Sequence, residues 1–322
     1  MDESSHPSQQ KIKSYLPWLI WGTTGTFFFY QFIVRVSPGV IEDTFRESLG
    51  LTRCEFGAIA AYYYVGYTLM QIPTGIMLDQ IGVRRLLTIA CLLCAMGCYF
   101  FAKASDTTVL SIGRLLMGIG SAFAFLSCVK TATLWFKPER LSSVIGIAVF
   151  LGPIGGVFGG RPLAYLVETY GWKFAIIILG LAGAILACAA WFVVKDRKNN
   201  IYTGVSEEDP SIGVIDSLKI ILKNPKTYLF GLYGSLMYTF LSGFADLWGT
   251  PFMIEAYRVD KMEASSSVSC IYLGIAFGGP LTAWFSQIYR SYKIPKIIGV
   301  FLCFLMLSLI IYYPDLIPFN LT

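Results

Sequence analysis

The chain has 322 residues, 55% of them hydrophobic and 16% aromatic against 14% charged, with a mean hydropathy of +0.62 and a formal net charge of +5. No soluble domain of this size needs so much oil, and a small cationic excess gathered in alternate loops argues against a nucleic-acid partner. Eight cysteines lie mostly inside apolar runs and imply neither a disulfide framework nor a metal site; Cys91, Cys94 and Cys98 can share one helix face as ordinary small apolar residues.

A tail over residues 1–15 carries Lys11 and Lys13 but no small-residue cleavage site, and reads as a retained cytoplasmic segment. Windows of about 20 apolar residues, the length that crosses a bilayer, then predict nine helical spans near 16–39, 55–78, 86–103, 108–133, 141–163, 173–194, 227–252, 266–288 and 296–313. With the N-terminus inside, fifteen Lys and Arg fall in cytoplasmic segments and six in the opposite loops, which fixes that orientation by the excess of cations on the inner side. The polar stretch 196–225 reads as a cytoplasmic linker between a six-helix half over 16–195 and a second half over 226–322. The end of span one, Ser37-Pro38-Gly39-Val40-Ile41-Glu42, is echoed at the end of span seven by Thr250-Pro251-Phe252-Met253-Ile254-Glu255, as expected of two parallel repeats. A repeat of six predicts twelve helices, so the second half is expected to lack three.

Between spans two and three lies Gly75-x-x-x-Asp79-x-x-Gly82-x-Arg84-Arg85. The glycines allow close approach of two helix ends, Asp79 can cap a helix N-terminus, and the arginines suit a headgroup layer. This pattern resembles the loop signature of the major facilitator superfamily. Arg114, Gly118 and Gly120 in span four are similar to that family's R-x-x-x-G-x-G element, which implies a part in proton coupling. An arginine in oil costs at least about 2.5 kcal/mol, so Arg114 must face a partner or water, or else snorkel from a site near the outer end of its span. Gly152, Pro153, Gly155 and Gly156 in span five serve helix packing and bending, and partly resemble the motif of drug/proton antiporters. The family implies an all-α polytopic membrane protein that works by alternating access, with no enzymatic activity and no cofactor beyond a proton gradient.

Two further charges lie at similar depth in the helices expected to line the cavity: Arg35 in span one and Asp246 in span seven. They are expected to pair across the halves and to gate the pathway, with Asp246 as protonation site. Substrate-binding candidates are Tyr30, Gln31, Arg35, Tyr64, Tyr67, Gln71, Lys130, Tyr238 and Trp248, whose hydroxyls, amides and cations suit a small polar solute. The run from Arg35 to Arg85 is similar to a bacterial branch related to lysosomal dipeptide transporters and to phagosomal amino-acid transporters. That resemblance implies uptake of an amino acid or short peptide by a monomer in a bacterial inner membrane. The alternatives are a carrier of organic anions such as sugar acids, a drug/proton antiporter, or a truncated carrier acting as a receptor or inactive.

Overall fold

The computed structural model describes residues 15–197, 222–289 and 293–312. The tail before Tyr15 and most of the expected linker lie outside the described residues. Among those described, every regular element is helical. They run α1 (Leu16–Leu49), α2 (Arg53–Ile81), α3 (Val83–Lys103), α4 (Thr107–Ser121), α5 (Phe123–Trp135), α6 (Pro138–Phe158), α7 (Arg161–Tyr170) and α8 (Trp172–Val193), then α9 (Pro225–Phe240), a π-helical segment (Leu241–Trp248), α10 (Gly249–Tyr257), α11 (Lys261–Ile288) and α12 (Lys293–Tyr312). Among the described residues five runs are long and apolar enough to cross a membrane: Val83–Lys103, Thr107–Trp135, Pro138–Tyr170, Trp172–Val193 and Lys261–Ser286. The end of the bundle where α1 begins is called inner below, and the opposite end outer.

Local chemistry sets the helix ends. Pro17 starts α1, where its missing N–H costs nothing, and Gly50 closes it at φ 66°. At 34 residues α1 is about 50 Å long, so its outer end, with Glu42, Asp43 and Arg46, reaches beyond a hydrocarbon layer of roughly 30 Å. Thr52 and Glu55 form a reciprocal capping box at the head of α2, and the Thr52 backbone and hydroxyl hold the Glu55 carboxyl below its ordinary range. Asp106 caps α4 by accepting from the backbone N–H of Thr108 and Val109. Span four is interrupted at Ala122, and span five breaks at Gly159–Gly160 and resumes as α7 to Tyr170, beyond the end its hydropathy predicts.

α3 packs on α4 and α8, α2 on α4, and α1 on α6, while α11 crosses to α6 to join the halves. Small residues decide these distances. A Cβ on Gly118 would lie 2.0 Å from the Tyr63 carbonyl oxygen, and one on Gly155 would lie 2.1 Å from that of Phe29. Gly156 meets the Tyr272 ring, and Gly152, just before Pro153, meets Phe28 and Phe32. The expectation that Gly75 serves close approach is corrected: a Cβ there would meet nothing within 4 Å. Gly82 is the residue that needs to be glycine, at φ 93° with Asp196 against it.

The halves touch at the outer end. Arg53 bonds Glu255 at 2.6 Å, Lys261 bonds Asp43 at 2.6 Å, and Trp248 sets its edge against Phe56. These contacts close the bundle at its outer end. At the inner end α9 buries none of its residues.

Candidate functional site

The site begins with a proline. Pro38 has no N–H to give the carbonyl four residues back, so Val34 is left with a free oxygen in the middle of α1. That oxygen accepts from the Ser37 hydroxyl at 2.9 Å and from Arg114 Nη1 at 3.1 Å. Arg114 is fully buried, lies 4.7 Å over the Tyr63 ring, and leaves its Nε without a partner. The alternative of a snorkelling Arg114 is thereby corrected, because the defect in α1 supplies its anchor inside the bundle.

One turn of sequence away, Arg35 meets Asp246. Arg35 Nε donates to Asp246 Oδ2 at 2.6 Å, and the two side chains are 3% and 1% exposed. Asp246 sits in the π-helical segment, a wide turn of the kind found at functional sites. Its carboxylate also accepts from the Tyr64 hydroxyl at 2.6 Å and from the Tyr272 hydroxyl. The Arg35 guanidinium lies 4.8 Å from the Phe32 ring centre and 5.0 Å from that of Tyr238, while its Nη2 is buried without a partner. The close approach rests on Gly39, whose Cβ would come within 2.8 Å of the Leu247 carbonyl oxygen.

The structure thus brings together Arg35, Asp246, Tyr64 and Tyr238 of the residues singled out in the sequence, with Tyr67 stacked on Tyr63 and Gln31 accepting from the Tyr63 hydroxyl beside them. Gln71 leaves its buried Nε2 without a partner. Three candidates lie elsewhere. Tyr30 donates to the Leu179 carbonyl at 2.9 Å and ties α1 to α8. Trp248 packs in the outer seal. Lys130, expected to receive a substrate carboxylate, is 3.0 Å from Asp79 at the inner end, because α5 carries it past the cavity to the motif loop. Tyr272, Phe32 and Gly39 were not singled out; only the glycine beside Pro38 carried a signal in sequence.

The motif loop also departs from expectation. Asp79 does not cap α3; Asp196 does, accepting from the Arg84 N–H at 2.8 Å. Arg84 turns its side chain to the Trp191 carbonyl and ring, and Arg85 is exposed. Around Asp79, Lys130 and Asp196 lies a cavity of about 360 Å³.

A family model described as Major Facilitator Superfamily matches residues 22–319. The chain belongs to the major facilitator superfamily. It is 24% identical to the uncharacterized transporter YybO of Bacillus subtilis over 88% of this chain and 71% of that protein. To the hexuronate transporter of the same species it is 23% identical over 77% and 60%, and to a probable L-galactonate transporter of Escherichia coli 24% over 84% and 63%. The chain thus spans roughly two thirds of the length of these superfamily relatives. A bacterial homologue of the human lysosomal transporter Spinster, in an inward-facing and unoccupied conformation, superposes with a TM-score of 0.72 at 16% identity, over 86% of this chain and 64% of that one.

Proposed function

We propose that the protein is part or all of a secondary carrier for a small organic acid of the sugar-acid type, working by alternating access. The observation that carries this is the charge balance of the interior. Among the described residues the buried middle of the bundle holds two guanidiniums, Arg35 and Arg114, and one carboxylate, Asp246. An uncompensated buried cation is costly, and a substrate carboxylate beside the unpartnered Arg35 Nη2 would neutralise it. The names of the hexuronate and galactonate relatives support an organic acid. The amino acid or peptide implied by the sequence resemblance gives way to it, since a zwitterion would leave the balance unchanged.

Asp246 is the proton carrier in this reading, the membrane is a bacterial inner membrane, and the N-terminus is cytoplasmic. The test is thermal stabilisation of the purified chain by hexuronates, galactonate and tartrate against amino acids and dipeptides, followed by uptake into vesicles. At a hundred times Kd a bound acid adds about 2.7 kcal/mol, and Arg35→Gln abolishes the shift. Stabilisation by amino acids alone would overturn the substrate class, and binding without uptake would favour a receptor.

A further inference from the structure

The inner-end cavity is separate from the Arg35–Asp246 site and holds chemistry that the carrier reading does not use. Its wall is made by the end of α2, the start of α3, the end of α5 and the residues that follow α8. Three cations line it, Lys130, Lys195 and Arg197, with two carboxylates, Asp79 and Asp196. Asp196 is spent on the first turn of α3, where it accepts from the Arg84 N–H at 2.8 Å, so its charge is offset by the positive end of that helix. Among the described residues, what remains lining the cavity is three cations against Asp79.

Two details show that this is more than a solvated charge cluster. Thr131, 1% exposed, lies on the wall with its Oγ1 lacking any hydrogen-bond partner. A buried hydroxyl in a polar wall is expected to be bonded. The Arg197 guanidinium is held 5.2 Å over the Trp135 ring, which fixes a mobile side chain at the cavity edge.

We propose that this cavity binds a phosphate group, whose oxygens take Thr131 Oγ1–H, the Lys130 ammonium and the Arg197 guanidinium together. A phosphate presents three or more acceptor oxygens in different directions, whereas a carboxylate presents two in one plane, and three donors on separate elements suit the former. The volume of about 360 Å³ accepts a small phosphorylated compound or the headgroup of a phospholipid. Binding draws Lys130 from Asp79, now 3.0 Å away, and so ties a ligand at the inner face to the turn at Gly82 between α2 and α3.

The test uses the full chain, delipidated in a neutral detergent at fixed ionic strength. It is titrated with inorganic phosphate and separately with glycerophosphoglycerol, the headgroup diester of phosphatidylglycerol, with ³¹P line broadening as the readout. Saturable binding of the phosphate alone assigns a soluble ligand, binding of the diester alone assigns a lipid headgroup, and binding of both assigns the shared chemistry. Thr131→Val, which keeps the side-chain shape, should weaken binding about tenfold, as the loss of one bond to a charged group does. Arg197→Gln, at an exposed position, should do at least the same. Failure of both probes to saturate overturns the proposal. So does binding that is unchanged in both variants, or lost only in Arg35→Gln, which would move the anion to the central site.

Discussion

Replacing Asp246 by Asn tests whether the buried pair organises the interior. The carboxylate accepts from Arg35 Nε at 2.6 Å, from the Tyr64 hydroxyl at 2.6 Å and from the Tyr272 hydroxyl. Asn keeps one acceptor oxygen but no charge, and turns an N–H₂ toward donors. Breaking a buried ion pair from one side costs about 3–5 kcal/mol, and Asp246→Asn belongs at the upper end because it strands two guanidiniums, Arg35 and Arg114. Arg35→Gln belongs near the lower end, since two tyrosines still solvate the carboxylate. The double variant Arg35→Gln/Asp246→Asn removes both members of the ion pair, leaves Arg114 as the one stranded guanidinium, and should cost at least about 2 kcal/mol less than the sum of the singles. Unfolding in detergent reads these values; at about 2 °C per kcal/mol, Asp246→Asn lowers the midpoint by roughly 10 °C. Costs that add to within about 0.5 kcal/mol would refute the pairing as an energetic unit.

Pro38→Ala restores an N–H that competes with Arg114 for the Val34 oxygen; loss of that charged bond should cost about 1.5–3 kcal/mol, against the gain expected from removing a mid-helix proline, and unfolding of Pro38→Ala beside Arg114→Gln measures it. Gly118→Ala drives a methyl to 2.0 Å from the Tyr63 carbonyl oxygen and should destabilise by about 1–3 kcal/mol, whereas Gly75→Ala, with open space around it, should be neutral or stabilising in the same assay. The Glu55 carboxyl is held down by Thr52, so its capping contribution is present above the unfolded carboxyl value of about 4.3 and is lost as pH falls through the lower folded value. Protection factors of the amides in the first turn of α2, with the intrinsic pH dependence of exchange divided out, should therefore fall on acidification in the native protein, with a smaller fall in Glu55→Gln.

Helices are legible because hydrophobic runs of helical length are easily read, although among the described residues five of the nine expected spans, the third to sixth and the eighth, are long and apolar enough to cross a membrane. The cost of a charge in oil likewise makes Arg35, Arg114 and Asp246 stand out. What depth along a helix does not carry is rotation and distant pairing. Lys130 has the same polar promise as Arg35, but α5 delivers it to Asp79 at the inner end. The cap of α3 comes from Asp196, 112 residues from its Arg84 partner, so the nearby Asp79 was the wrong choice on proximity. Tyr272 reaches Asp246 from another helix, and nothing in its local sequence distinguishes it from tyrosines that face lipid.

The central site also explains why an acid and a proton would move together in the proposed carrier. Asp246 and a substrate carboxylate both claim Arg35, whose free valence is Nη2. If the substrate takes only Nη2, the interior becomes neutral and the outer seal made by the π-helical segment stays in place. If it displaces Asp246, that carboxylate keeps two tyrosine donors but loses its cation, and a proton relieves the several kcal/mol of an unpaired buried charge. A protonated Asp246 no longer holds α1 through Arg35, while the close packing of Gly39 on the Asp246 and Leu247 carbonyls remains between α1 and the π-helical segment. Where the acid displaces Asp246, binding should take up close to one proton per molecule in the native protein and none in Asp246→Asn, a stoichiometry that calorimetry in buffers of different ionisation enthalpy reads directly. Binding without proton uptake in the native protein would leave Arg35 as a simple anion site and remove Asp246 from the coupling.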